Sequence, residues 1–198
     1  MPIQITTLSE NTAGGVNLLA EWGLSILIEA DDHKVLLDTG QSFSAAYNAI
    51  VLGIDLSQID KIVFCHGHFD HTGGLIYILR MMKRDVEIIA HPDIWASKYG
   101  KLPEKKEEYA GVPFPKEIAE TFGASFNLTR EPVWISENIV TSGEIPMITE
   151  YEKIDPFFML RKRVNLSLTR SGTTRPSPQI RKGVGHHPGL CPSRGNQH

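Results

Sequence analysis

Apolar and polar positions along the first ninety residues follow two periods. Ile3-Gln-Ile-Thr alternates, and Leu24-Ser-Ile-Leu-Ile28 and Lys34-Val-Leu-Leu37 are β-rich runs on either side of Ala30-Asp-Asp-His33, which predicts a hairpin with an Asp-rich turn. Residues 42–52 change period: Phe43, Ala46, Ala49 and Ile50 fall at helical spacing, and Gly53 stands where a helix C-terminal glycine would. Leu56-Ser-Gln-Ile59 reads as a short turn. Lys61-Ile-Val-Phe-Cys65 is a compact apolar run, best read as a buried strand. Gly73-Gly74 opens a predicted helix over 75–83 with Leu75, Ile78, Leu79 and Met82 on one face, and Val86-Glu-Ile-Ile-Ala90 is a further strand. Strand, helix, strand in this order argues for α/β layering.

Residues 100–132 turn Lys/Glu/Pro-rich and read as a loop-and-helix excursion over a site rather than as core. Val133-Trp-Ile135 and Ile139-Val-Thr141 predict a last hairpin across Ser136-Glu-Asn138. No internal repeat is visible.

An apolar content of 41% and a charged content of 22% describe an ordinary globular chain. No stretch reaches the roughly 18 apolar residues a membrane span needs, and residues 1–12 lack a basic-then-apolar signal pattern; the expectation is a cytoplasmic protein with no membrane partner. Cys65 and Cys191 are far apart and form no disulfide framework. The net charge of −3 is unevenly spread: residues 159–198 hold eight Lys/Arg and no Asp or Glu, which leaves residues 1–158 at −11. Such a break separates two kinds of segment.

The chemistry concentrates in His66-Gly-His68-Phe-Asp70-His71. Alternate residues of an extended segment point the same way, so His66 and His68 can share one ion. Asp70 and His71 can turn toward a second. Imidazole and carboxylate suit zinc, iron or manganese. Two ions about 3.5–4 Å apart can hold a bridging hydroxide and polarise a carbonyl or phosphoryl oxygen. Gly67 leaves room beside the metal, and Gly73-Gly74 let the chain turn sharply. The bland alternative is a polar loop with unrelated histidines, but three within six residues at the mouth of an apolar strand, with an Asp between, are rare by chance.

The pattern H-x-H-x-D-H followed by T-G-G resembles the signature of the metallo-β-lactamase superfamily, and Leu36-Leu-Asp38-Thr-Gly40 resembles its first motif. Glu21-Trp-Gly-Leu-Ser-Ile-Leu-Ile-Glu29, Leu37-Asp-Thr-Gly-Gln-Ser42, Asn48, Leu52-Gly-Ile-Asp55 and His66-Gly-His-Phe-Asp-His-Thr-Gly-Gly-Leu75 are similar to the subgroup labelled 7,8-dihydropterin-6-methyl-4-(β-D-ribofuranosyl)-aminobenzene-5′-phosphate synthase. Ser142-Gly-Glu-Ile-Pro146 and Asp155-Pro-Phe-Phe158 extend the likeness, which covers 1–158. The resemblance implies an α/β fold, the N-terminal half of an αββα sandwich, with the metal site at the edge between the sheets. It implies two divalent metal ions, zinc first and iron or manganese as alternatives, with His66 and His68 on the first, Asp70 and His71 on the second, and Asp70 orienting the nucleophilic water. It implies Asp38 as a brace for the site. His91 could approach substrate but reads better as a structural histidine, His33 as a solvated turn residue, and Glu144 stays open between the two roles. Trp95, Tyr99, Phe114 and Phe122 could line a substrate pocket or simply pack.

After Phe158 the family text stops. His186, His187 and His198 follow no strand-like run and are not assigned as ligands. Synonymous codons for residues 159–178, read two nucleotides later, can spell V-K-K-E-G-E-L-V-P-D-E-I-W-D-D-Q-A-L-A; residues 183–198, read one nucleotide later, can spell G-L-G-I-I-L-G-C-A-H-R-G-V-I-N-T. Both strings resemble the family, and the second contains an apolar strand that ends in C-A-H, where the third histidine ligand would be expected. The sequence therefore reads as an incomplete domain over 1–158 followed by a basic, frame-shifted, disordered or irregular tail over 159–198. A tail of that kind cannot replace a missing sheet, so an apolar sheet face is expected to lie bare and to favour self-association. The implied function is a metal-dependent hydrolase-type enzyme using a metal-bound hydroxide on a small-molecule ester or phosphoester, with a pterin substrate suggested by the subgroup and no nucleic-acid partner. The rivals are an inactive remnant that binds metal weakly and a di-iron redox protein; His71 and the lack of flavin-domain text disfavour the latter.

Overall fold

A computed structural model of the chain describes residues 2–100, 106–149 and 151, and the short strands at 158–162, 165–167 and 178–180. The elements are β1 (Gln4–Ser9), β2 (Ser25–Ala30), β3 (His33–Leu37), α1 (Ser44–Val51), β4 (Lys61–Val63), α2 (Phe69–Thr72), α3 (Leu75–Met82), β5 (Val86–Ala90), β6 (Lys98–Gly100), β7 (Glu108–Tyr109), α4 (Lys116–Thr121), β8 (Ala124–Leu128), β9 (Ile139–Thr141), β10 (Phe158–Lys162), β11 (Asn165–Ser167) and β12 (Pro178–Ile180), with 3₁₀ turns at Leu56–Gln58 and Pro92–Trp95.

Six strands form the main sheet in the order β1-β2-β3-β4-β5-β8. β1, β2 and β3 are antiparallel, whereas β3, β4, β5 and β8 run parallel. The predicted hairpin is present: Ala30 faces His33 across a two-residue loop, and both Asp31 (φ 52°) and Asp32 (φ 63°) take the left-handed conformation that a tight hairpin turn demands and that Asp tolerates. The parallel strands are joined by crossovers. α3 buries Leu75, Ile78, Leu79 and Met82, the i, i+3, i+4, i+7 stripe read from the sequence. α1 buries Ala45, Ala46 and Ala49, small side chains that let it lie close to β1.

Alternation along the strands divides the core. Leu27, Leu36, Ile62 and Ile88 face the helices and pack with Ala45, Leu75, Ile78 and Met82. Ile28, Val35, Leu37, Val63 and Ile89 face the other way and pack with Val133, Ile135 and Ile139. Fully burying one such side chain contributes roughly 1.5–3 kcal/mol, so a one-residue slip that exchanged the two sets would disrupt both clusters.

Two expectations need correction and a third can be followed only in part. Residues 100–132 are not wholly an excursion: β8 pairs with β5 along its length, and Ala119 of α4 and Ala124 of β8 lie in the helix-side core. The Lys/Glu/Pro-rich text that suggested a surface loop is densest in the stretch before them, and residues 101–105 lie outside the described set. The apolar sheet face expected to be bare is buried, with Val35 and Val63 at 0% exposure and Ile89 at 2%. The predicted 133–141 hairpin lies against this face, with Trp134 bridging Val140. The boundary expected after residue 158 falls inside β10, which pairs with β6 and β11, and β12 pairs with β9. The rest of the expected disordered tail, with Cys191, His186, His187 and His198, lies outside the described residues.

Candidate metal centre

The parallel strands end at one edge of the sheet, and the chemistry-bearing residues leave from there. Asp38 follows β3 with φ 56°, a left-handed turn that drives the chain off the sheet. Cys65 and His66 follow β4. Asp38 is fully buried, and its charge is met on several sides. Oδ1 accepts the Cys65 backbone N–H at 2.9 Å. Oδ2 lies 2.8 Å from His71 Nδ1 and 2.7 Å from Cys65 Sγ, both able to donate to it. A buried carboxylate needs such partners, since leaving one unpaired costs several kcal/mol. Its own backbone is held as well, by its N–H to Val63 O and by Ser25 Oγ, which donates to its carbonyl.

His68 is the extended residue that leads into α2, whose single turn carries Asp70 and His71 back toward the strand ends. The sequence reading places the helix only after Gly73; the turn beginning at Phe69 brings His71 beside Asp38. Thr39 fastens this turn by donating its backbone N–H at 2.8 Å and its hydroxyl at 3.0 Å to His71 O. Close approach of backbones decides two glycines. A Cβ at Gly74 would lie 1.9 Å from Thr39 O, and one at Gly67 would lie 2.2 Å from Ile94 O and 2.8 Å from Lys98 Nζ. No side chain fits at either position, so the room attributed to Gly67 is taken up by backbone and not left open beside an ion.

The four residues singled out in the motif converge. The His66 and His68 rings meet edge-on at 4.6 Å between centroids, and His66 and His71 lie 4.1 Å apart. Among the described residues, His66, His68 and Asp70 offer one ligand atom each within 4.8 Å of one another, and so do Cys65, His66 and His71. His71 Nε2 is 3.7 Å from Asp70 Oδ2. Burial pushes the His68 imidazole down to about 4, with Asp70 opposing and Lys98 assisting. Its ring is therefore neutral at pH 7 and keeps a lone pair for a cation. Two imidazoles and a carboxylate of this kind fit a divalent transition metal.

The other residues named from the sequence stand apart. His91 is 8% exposed; its Nδ1 accepts the Asp93 N–H at 3.0 Å and its Nε2 lies 3.5 Å from Glu144 Oε2. Glu144 is held below the usual carboxylate range by its hydrogen bond from Arg130. His33 lies 3.6 Å from Asp60 on the surface. Trp95 packs on Phe114 and Phe126, Tyr99 on Tyr109, and Phe122 beneath Arg80.

Three residues escape the sequence reading. Cys65 touches Asp38, His66 and His71. Lys98, which burial lowers to about 8, donates to the carbonyls of Asp93, Ile94 and Ala96. Glu21 accepts from the Ser42 N–H and from the hydroxyls of Ser42 and Ser44, tying the loop before β2 to the one after β3. The available signals were the position of Cys65 directly before His66 and that of Glu21 within the family-like text; a lone Lys98 carries none.

The sequence profile of the metallo-β-lactamase superfamily matches residues 23–157, and the chain belongs to that superfamily. It is 34% identical over 149 residues to the 7,8-dihydropterin-6-methyl-4-(β-D-ribofuranosyl)-aminobenzene-5′-phosphate synthase of Methanocaldococcus jannaschii, a match covering 72% of the chain and 51% of that protein. It is 33% identical over 150 residues to an uncharacterized protein of the same organism, covering 75% of the chain and 56% of that protein. The chain thus spans about half the length of these curated relatives. The crystal structure of Tm1679, a metal-dependent hydrolase of the β-lactamase superfamily, superposes with a TM-score of 0.67 at 22% identity, over 90% of this chain and 59% of that one, and shares the fold.

Proposed function

We propose that this chain carries the metal-binding half of a metallo-β-lactamase-fold enzyme that acts on a small-molecule ester or phosphoester. The observation that carries the reading is the convergence of His66, His68 and Asp70 within 4.8 Å at the ends of the parallel strands. His66 and His68 would hold one divalent ion, zinc first and manganese or iron as alternatives, and Asp70 and His71 a second. When bound, such ions supply Lewis acidity and lower the pKa of a water toward neutrality. The chain's own part is to hold donors neutral and oriented. Burial keeps a proton off His68, and Asp38, by accepting from His71 Nδ1, leaves Nε2 as that ring's ligand nitrogen. Asp70, beside both, would orient the attacking water.

The name of the relative at 34% identity extends the reading to a pterin-containing phosphate substrate, acted on by a protein whose length this chain only half spans. Among the described residues no helix is long and apolar enough to cross a membrane; a cytoplasmic location and a small-molecule partner, with no nucleic acid, belong to the same proposal.

The test is metal content. The purified chain, stripped with chelator and equilibrated with Zn²⁺ or Mn²⁺, should retain metal by elemental analysis, His68→Ala and Asp70→Ala should retain less, and the loaded chain or its full-length relative should cleave a phosphodiester. A folded wild-type chain that binds neither ion overturns the reading.

A further inference from the structure

Cys65 is buried to 2% exposure among groups that a plain core cysteine does not touch. Its Sγ lies 2.7 Å from Asp38 Oδ2, 2.9 Å from His66 Nδ1 and 3.3 Å from His71 Nδ1. A thiol has one proton and weak acceptor capacity, so its roles can be assigned in turn. Asp38 takes the Cys65 backbone N–H on Oδ1 and offers Oδ2 as an acceptor, so the S–H points at it. His66 Nδ1 then donates to sulfur, since the thiol proton is already committed. His71 Nδ1 donates to Asp38 at 2.8 Å, the shorter of its two contacts. Both imidazoles thereby carry their proton on Nδ1, and Nε2 is left with the lone pair.

We propose that Cys65 is a positioning residue of the metal centre: its thiol, fixed by Asp38, selects the His66 tautomer and ring orientation, while Asp38 does the same for His71. The inference rests on the metal-centre reading above. A carboxylate or carbonyl partner on the non-ligating nitrogen of a metal-bound histidine is the common arrangement; here one aspartate reaches His71 directly and His66 through sulfur. The same contacts argue against Cys65 as a metal ligand. A thiolate at this point would face the Asp38 carboxylate at 2.7 Å, and like charges at that separation repel strongly in a buried site.

The test compares wild type, Cys65→Ser, Cys65→Ala and Cys65→Val by two readouts. Long-range ¹H–¹⁵N spectra of the metal-free chain, above the pH at which its imidazoles protonate, report the tautomers of His66 and His71. Titration with Zn²⁺, and with Co²⁺ followed by absorption, reports affinity and ligand type. His66 should be protonated on Nδ1 in wild type and in Cys65→Ser, whose hydroxyl can make both contacts. In Cys65→Ala and Cys65→Val it should shift toward Nε2–H, and metal affinity should fall about 10–100-fold. Circular dichroism identifies any variant that fails to fold, and Cys65→Ser then decides. Unchanged His66 tautomers in folded Ala and Val variants overturn the proposal, as does a sulfur-to-cobalt charge-transfer band in the near ultraviolet, which would make Cys65 a ligand. If wild type binds no metal, the metal-centre reading fails while the tautomer comparison still judges Cys65.

Discussion

His68 gives the sharpest quantitative consequence of the site's burial. Its imidazole is lowered from 6.5 to about 4, chiefly because the protein around it excludes water, with Asp70 pulling the other way. In the unfolded chain the same ring titrates near 6.5. Between pH 6.5 and 4 the unfolded state therefore binds a proton that the folded state refuses, and stability must fall as pH falls. The sign is fixed: the contribution is fully present above pH 6.5, is lost through that window, and changes no further below about 4. At about 1.4 kcal/mol per pH unit, and with some discount for the ring's residual exposure, the loss is about 2–3 kcal/mol. The assay is urea unfolding of metal-free wild type and His68→Gln, in chelator, at steps from pH 7.5 to 4. The two proteins differ only at this ring and at the groups coupled to it, Asp70 foremost, so their difference isolates the ring together with that coupling. Wild type should lose about 2–3 kcal/mol more than the variant across the window. Parallel curves would refute the claim that His68 is held neutral by burial. The same experiment with saturating Zn²⁺ should move the wild-type midpoint upward, because a ligand bound only by the folded state stabilises it.

Gly74→Ala places a methyl 1.9 Å from Thr39 O, so the loop after β3 must move and chemical-denaturation stability should drop by about 1–3 kcal/mol; a wild-type midpoint would show the two loops are not in contact. Lys98→Met removes the donor shared by the carbonyls of Asp93, Ile94 and Ala96, and thermal unfolding should register a loss of about 1–3 kcal/mol, while removal of its positive charge should raise the His68 pKa, measurable by proton NMR; an unchanged melting temperature would refute the capping role.

Much of this was legible in the sequence because it is local. The Asp31-Asp32 turn, the apolar stripe of α3 and the runs that became β2, β3, β4 and β5 each follow from a period of two or 3.6 and from one turn chemistry. β8 was not legible: Ala124-Ser-Phe-Asn-Leu128 is short and only partly apolar, and its place in the sheet comes from pairing with β5, whose residues are 38 positions earlier. The burial of the second sheet face was missed for the same reason. Its cover, Val133, Ile135 and Ile139, is visible as a hairpin, but where a hairpin lands is a tertiary fact. At the site, the spacing of His66, His68, Asp70 and His71 could be read, whereas the Asp38–His71 contact spans 33 residues and depends on α2 starting at Phe69 rather than after Gly73.

The arrangement of the site follows from strand direction. β3, β4, β5 and β8 are parallel, so their carboxyl ends share one edge, and any residue that follows a strand is brought to it. Asp38, Cys65, His91 and Thr129 all occupy such positions, yet they do different work. What separates them is the loop each strand feeds. After β3 the left-handed turn at Asp38 points a carboxylate back under the sheet edge, where the Cys65 N–H and the His71 ring meet it. After β4 the chain bends at Cys65, passes through an extended His68 and then makes one helical turn, which sends two histidines, an aspartate and a third histidine to the same few ångströms. After β5 the chain enters a 3₁₀ turn at once, and His91 caps it through Nδ1 on the Asp93 N–H, with Nε2 3.5 Å from Glu144 Oε2. The edge supplies the place, and the path of the loop beyond each strand decides whether a polar side chain there becomes a brace, a ligand or a cap.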